Sequence, residues 1–198
     1  MRVHARLAAG ILALAVLLAP VAALPAEAFG SGGSYSHPYP EGVQVGDIVF
    51  GHGKLDWLIP GYWTHVGMIA YWDPQVGDWI VVESDLSGGV HLSTLSEFLA
   101  RYDTVAIAHV AAPESVRQAA VEFALEQLGK GYDLYWFTKQ VYGSSYYCSE
   151  LVWAAYKAVG GPDLDENPGW SWTYAYGVAP QEVYDDSDTI VYYYDSAS

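Results

Sequence analysis

Residues 142–162 read YGSSYYCSELVWAAYKAVGGP and contain the single cysteine of the chain, Cys148. Apolar residues recur at helical spacing over 149–159, and Gly160-Gly161-Pro162 ends the pattern, so the stretch predicts an amphipathic helix. Cys148 stands directly before that helix. The first backbone N–H groups of a helix are unpaired and its dipole is positive there, which stabilises a thiolate. The placement therefore favours a nucleophile over a small buried hydrophobic residue.

The start of the chain has the layout of a secretory signal peptide. Arg2 and Arg6 precede an uncharged apolar run over 7–19, and Ala26-Glu27-Ala28 offers small residues for cleavage. We therefore expect residues 1–28 to be removed and the protein to be secreted or held in the cell envelope. The alternative is an uncleaved anchor, although the run is short for a membrane span. No other stretch is apolar enough to cross a bilayer.

The rest of the chain has the length of one domain. Residues 29–42 are rich in Gly, Ser and Pro and predict a flexible lead-in, and residues 43–198 predict a single folded domain. Runs of β-forming residues alternate with turn signals before two clear helices, which predicts an α+β fold with a mainly antiparallel sheet. Predicted strands cover 45–50, 65–71, 79–83, 104–110 and 189–194, and predicted helices cover 94–102, 113–129 and 149–159.

Charge and cysteine content exclude several classes of partner and ligand. The chain has 8 Lys+Arg and 23 Asp+Glu, net −15; without the predicted leader, which holds two arginines and one glutamate, 6 and 22 remain, net −16. Such a surface repels nucleic acid and anionic lipid. One cysteine leaves no internal disulfide. Neither HExxH nor CxxC spacing occurs, so we expect no zinc site and no cofactor.

A thiol nucleophile requires a base, and His65 is the best placed of the six histidines. It opens a predicted strand, and Gly67 leaves space beside it on the same face of that strand. The alternative is a histidine that only packs in the core.

The geometry of the predicted hairpin indicates that Glu83 orients the imidazole of His65. With a turn centred near Pro74 or Gln75, Glu83 lies roughly opposite His65, and directly opposed side chains share a face. Asp85 takes this role if the register shifts. The alternative for Glu83 is an ordinary exposed carboxylate at a strand end.

Two segments of the chain, 57–63 and 169–177, are rich in Trp and Tyr. If 169–177 is extended, Trp170, Trp172, Tyr174 and Tyr176 share one face. We expect these rings to pack in the core, with a stacking wall for a sugar or an apolar substrate as the alternative.

Seven stretches of the chain together carry a resemblance to a known family: VGDIVF (45–50), THVGMIAYW (64–72), VVES (81–84), GGVHL (88–92), LGKGYD (128–133), YYCSELVWAAYK (146–157) and VAPQEVYDDS (178–187). With these stretches the chain resembles the circularly permuted branch of the NlpC-type papain-like cysteine peptidases, often called YiiX-like. In that branch the histidine precedes the cysteine along the sequence. The resemblance implies a papain-like core with the nucleophile at a helix N-terminus packed on a small antiparallel sheet. It also implies Cys148 as nucleophile, His65 as base, Glu83 as the polar third residue and Tyr132 as a wall of the substrate pocket.

The predicted function is amide hydrolysis by an exported cysteine peptidase or amidase that acts on a peptide or a cell-wall peptide through an acyl-enzyme. One alternative is acyl transfer or lipid hydrolysis, as in enzymes similar to lecithin retinol acyltransferase, because the aromatic additions suit a lipid. Another alternative is a binding domain that retains the fold without catalysis.

Overall fold

A computed structural model describes residues 30, 32–54 and 58–197, so the predicted leader over 1–28 lies outside the described residues. Six strands and four helices form the described part of the chain. They are β1 (Ile48–His52), β2 (His65–Asp73), β3 (Asp78–Asp85), β4 (Gly89–Thr94), α1 (Leu95–Arg101), β5 (Thr104–Val110), α2 (Glu114–Glu126), α3 (Cys148–Ala158), α4 (Pro180–Asp185) and β6 (Thr189–Ser196).

The strands form one sheet in the order β4-β3-β2-β1-β5-β6, in which every neighbouring pair is antiparallel. This confirms the predicted α+β class. Alternate residues of the strands face two separate apolar clusters, as the period of two requires. On one face Met68 and Val82 pack with α2 and α3, and on the other Ile69 and Val81 pack with α1.

Most predicted elements are present, and two were missed. The predicted strand over 104–110 matches β5, and the predicted helix over 94–102 matches α1, which Thr94 caps in a capping box with Glu97. Strand β4 was missed because only Val90 and Leu92 alternate with polar residues there, after a pair of glycines. Helix α4 was missed because its six residues span fewer than two turns and give no periodicity to read.

The described part of the lead-in, residues 30 and 32–42, makes specific contacts with the domain. His37 uses Nδ1 to bond the carboxylate of Asp195 at 2.6 Å and Nε2 to bond the carbonyl of Tyr102 at 2.8 Å. The segment is thereby tied to β6 and to the end of α1. Its flexibility stays a prediction.

Among the described residues, none of the helices is both long and apolar enough to span a bilayer.

Candidate active site

Cys148 is the first residue of α3, at the place where the sequence predicts a thiolate to be stabilised. The preceding residue, Tyr147, has extended backbone angles and forms the N-cap. Cys148 is 3% exposed and lines a pocket. The nucleophile candidate is therefore sheltered from bulk water but open to a ligand in that pocket.

Hydrogen bonds on both sides of the cysteine hold this end of the helix. Ser84 of β3 donates through Oγ to the carbonyl of Tyr146 at 2.6 Å, and Ser149 donates through Oγ to the carbonyl of Val178 at 2.6 Å. The Tyr147 hydroxyl accepts from the Val178 N–H at 3.0 Å and donates to the Thr138 carbonyl at 3.0 Å. Position 148 is thus joined to the sheet and to the loops on both sides.

His65 and Glu83 form a fully buried pair, with 2.7 Å between Nε2 of the imidazole and Oε2 of the carboxylate. The hairpin register differs from the prediction by two residues, since Glu83 pairs with Gly67 rather than His65. The turn lies further along the chain than expected, and a bulge falls between Ile69 and Tyr71. A shift of two keeps the same face, so the long Glu83 side chain still reaches His65 diagonally.

The environment of His65 favours its charged form. The ring stacks on Phe98 and Tyr102, with centroids 5.7 and 5.9 Å away. Burial alone would lower the pKa of His65, but the neighbouring Cys148 and Glu83 side chains raise it to about 9. Because Nε2 bonds Glu83, the nitrogen on the side of Cys148 is Nδ1. The structure therefore brings the three predicted residues together, with His65 bonded to Glu83 and influenced by the neighbouring Cys148.

Three residues that the sequence did not point to surround the Glu83 carboxylate. Arg101 of α1 donates from Nη2 to Oε1 at 2.6 Å, Ser93 donates its hydroxyl to the same oxygen, and His91 Nε2 lies 3.8 Å away. Burial alone would raise the pKa of Glu83, but the His65 hydrogen bond and the Arg101 charge hold it well below its usual range. No sequence motif predicts this set, because Ser93 and Arg101 reach Glu83 only through the tertiary structure.

Asp85, the alternative orienting residue, has a different position. Its Oδ1 accepts hydrogen bonds from the N–H and hydroxyl of Ser87 and from the N–H of Gly88, at 2.7 to 2.9 Å. The side chain therefore shapes the β3–β4 turn, and the structure brings Glu83 rather than Asp85 to the imidazole.

A mainly apolar pocket of about 110 Å³ opens beside the thiol. Tyr132 lies in its wall, at the position the resemblance implied. The lining residues come from five segments of the chain, one of which is the start of α3: Leu58, Ile59, Pro60, Leu86, Tyr132, Leu134, Trp136, Tyr147, Cys148, Ser149, Tyr174, Val178, Ala179 and Pro180.

The aromatic segment 169–177 does not pack in the core, so that prediction was wrong. The segment is not an extended strand but a turn closed by an isolated bridge between Ser171 and Ala175. Trp172 is 93% exposed and Tyr176 is 59% exposed, while Tyr174 lines the pocket. A tight turn cannot place alternate rings on one buried face.

The part of the chain that the structure describes contains no group of three or more His, Cys, Asp or Glu side chains arranged to hold a metal ion.

Comparisons with known proteins agree with this fold. Residues 42–192 match the model of a family described as permuted papain-like amidase enzymes, YaeF/YiiX, the C92 family. The fold is similar to that of the metalloprotein YiiX from Escherichia coli O157:H7, with a TM-score of 0.61 and 22% sequence identity over 77% of this chain and 98% of that chain. A search of the curated proteins finds no match.

Proposed function

Because the chain belongs to the family of permuted papain-like amidases and is thus an amidase-type cysteine hydrolase, we propose that Cys148, His65 and Glu83 form its catalytic triad. The observation that carries the proposal is the buried hydrogen bond between His65 and Glu83, with Cys148 close enough to His65 to raise the pKa of the imidazole. A nucleophile, a base and an orienting group in contact are the arrangement that covalent acyl transfer requires. The NlpC-type kinship indicated by the motifs is part of the same proposal.

The reaction begins with a proton on His65 and a negative charge on Cys148. The thiolate attacks the amide carbonyl and forms a C–S bond, and the resulting oxyanion is stabilised by backbone N–H groups at the start of α3. His65 then donates its proton to the nitrogen of the leaving amine, and the C–N bond breaks. A thioester on Cys148 remains.

Water completes the cycle. The neutral imidazole of His65 takes a proton from the attacking water, the C–S bond breaks, and a carboxylic acid is released. The thiolate and the protonated imidazole are restored. Glu83 keeps its charge throughout and stabilises the imidazolium that forms at each step.

Membership of the amidase family supports a peptide-type substrate. The predicted signal peptide would carry the protein out of the cytosol, which favours a cell-wall peptide as that substrate. Tyr132 would position the acyl part of that substrate, because it lines the pocket beside the thiol. The apolar lining also favours a second candidate, the transfer or release of a fatty acyl group through the same thioester.

YiiX, the structural neighbour, is described as a metalloprotein. The donor groups described in the present chain do not form a metal cluster, so no step of the proposed reaction passes through a metal.

The experiment combines thiol labelling with product analysis. We expect iodoacetamide to modify Cys148 in the folded protein at neutral pH, and we expect Cys148→Ala to abolish turnover of short peptide and N-acyl amide substrates. The acyl group of the substrate separates the two candidates, because the first predicts turnover of short peptide amides and the second predicts turnover of fatty acyl substrates. An added primary amine then shows whether the fatty acyl group is transferred to a new amide or released as the free acid. An unreactive thiol in the folded protein, or turnover that persists in Cys148→Ala, contradicts the proposal.

A further inference from the structure

Three loops around the mouth of the Cys148 pocket expose large apolar side chains. We call residues 58–62, 134–137 and 170–176 the neutral aromatic rim. Trp172 is 93% exposed, Tyr135 67% and Tyr176 59%. Exposed apolar side chains that are grouped, rather than scattered, mark a surface that meets a partner.

Direct contacts join the rim to the pocket and its parts to one another. Leu58, Leu134 and Tyr174 belong one to each loop, and all three line the pocket. The second and third loops are joined where the Tyr176 N–H donates to the Phe137 carbonyl at 3.1 Å. Whatever covers the rim therefore also covers the entrance to Cys148.

The rim carries no charge, although the chain is strongly acidic. Residues 58–64, 134–138 and 167–181 contain no Asp, Glu, Lys or Arg, in a chain with a net charge of −15. A basic partner would require acidic residues in the rim, and an anionic surface would be repelled by the rest of the molecule. The complementary partner is therefore apolar at the contact and neutral overall.

We propose that the neutral aromatic rim docks on the surface of a zwitterionic lipid bilayer, so that the pocket of Cys148 opens toward the lipid. Tryptophan and tyrosine have apolar bodies and one polar group, and they concentrate at the boundary between headgroups and acyl chains. The rim supplies both residue types on loops rather than on a helix. This surface goes beyond the proposed hydrolysis and does not depend on the reactivity of Cys148.

The test places a reporter on the rim without removing any of its aromatic rings. In the full chain with Cys148→Ala, which contains no other cysteine, Thr173→Cys carries an environment-sensitive fluorophore next to Trp172. The matched control carries the same label at Gln75→Cys in the exposed β2–β3 turn. Phosphatidylcholine vesicles should shift the emission of the label at position 173 to the blue and leave the label at position 75 unchanged. The predicted leader is present in both chains and cannot produce a difference between them.

Partitioning measurements then identify the side chains responsible. Trp170→Ser with Trp172→Ser should weaken binding to phosphatidylcholine vesicles about tenfold or more. Trp72→Ser is the control, because Trp72 is also exposed but lies at the opposite end of β2 from His65; it should leave binding unchanged.

Three results would overturn the proposal. The first is equal responses at positions 173 and 75, or a response at neither. The second is stronger binding to anionic than to phosphatidylcholine vesicles. The third is a blue shift at position 173 that depends on protein concentration without vesicles, which would assign the rim to a second copy of this chain.

Discussion

Glu83 is fully buried, and its negative charge is matched by two cationic side chains. His65 bonds one carboxylate oxygen and Arg101 the other, at 2.7 and 2.6 Å. A buried carboxylate with no such partners would hold a proton instead. At the scale of single residues, the charged state of His65 therefore depends on Glu83, and that of Glu83 depends on Arg101.

Glu83→Gln should weaken catalysis and change its pH dependence. The pKa of His65 is raised to about 9 partly by this carboxylate, so its removal should lower that pKa. The alkaline limb of kcat/KM, set in the parent by the loss of the His65 proton, should then move to lower pH, and kcat should fall about 100-fold. A pH–rate profile of each protein measures both effects. An unchanged alkaline limb would show that Glu83 does not act on His65.

Arg101 is predicted to be a positioning residue that acts through Glu83. Arg101→Met removes the second cation, so the pKa of Glu83 should rise and kcat should fall about tenfold. Arg101→Lys keeps the positive charge and should restore part of the activity. The measurement is the rate of Cys148 alkylation as a function of pH, which a purely structural role of Arg101 would leave unchanged. Equal pH profiles of alkylation for the Met and Lys variants would contradict the electrostatic role.

At the scale of elements, the edge strand β4 positions the segment that carries Tyr132. The Val90 N–H donates to the Lys130 carbonyl at 2.8 Å, and the Gly129 N–H donates to the Val90 carbonyl at 2.9 Å. Gly89 makes this approach possible, because a Cβ at position 89 would lie 2.1 Å from the Lys130 carbonyl oxygen. The pocket wall thus depends on close backbone contact between β4 and the loop after α2.

Gly89→Ala should separate these two segments. The new methyl group meets backbone rather than a movable side chain, and position 89 has a φ of +64°. We expect a loss of unfolding free energy above about 2 kcal/mol. Gly77→Ala is the matched control, since position 77 has a φ of +74° with open space around it, and it should cost only about 1 kcal/mol. Chemical denaturation of both variants measures the difference, and equal losses would contradict the steric explanation.

At the scale of the whole molecule, stability should fall as pH rises from mildly acidic to alkaline. Burial raises the pKa of Glu150 to about 8 and that of Glu182 to about 7, each from 4.5. With His65 raised from 6.5 to about 9, three groups hold protons in the folded state that the unfolded chain releases. The stabilisation from protonated His65 is complete below pH 6.5 and is lost as the pH rises through about 9. The stabilisation from the Glu150 and Glu182 carboxyl groups is complete below pH 4.5. It is lost as the pH rises through about 8 for Glu150 and about 7 for Glu182.

We therefore expect Tm to be lower at pH 9 than at pH 6, by about 3 °C or more. Calorimetry across this range measures the effect. Glu182→Gln should flatten the plot of Tm against pH below pH 7. The control is Glu126→Gln, which removes the same charge from an exposed position of α2 and should leave the slope of that plot unchanged. A Tm that rises with pH would contradict the assignment.

The sequence by itself determined the antiparallel α+β class, the helix that begins at the cysteine, and the choice of His65 and Glu83. Those features depend on local periodicity, on turn residues and on a strand period of two, which preserved the shared face when the register moved by two residues. Only the tertiary structure decided that Arg101 and Ser93 meet Glu83, that Asp85 shapes a turn, and that Trp172 faces outward. Contacts between distant segments, and the exposure of a turn, depend on how the elements pack, and no local pattern encodes them.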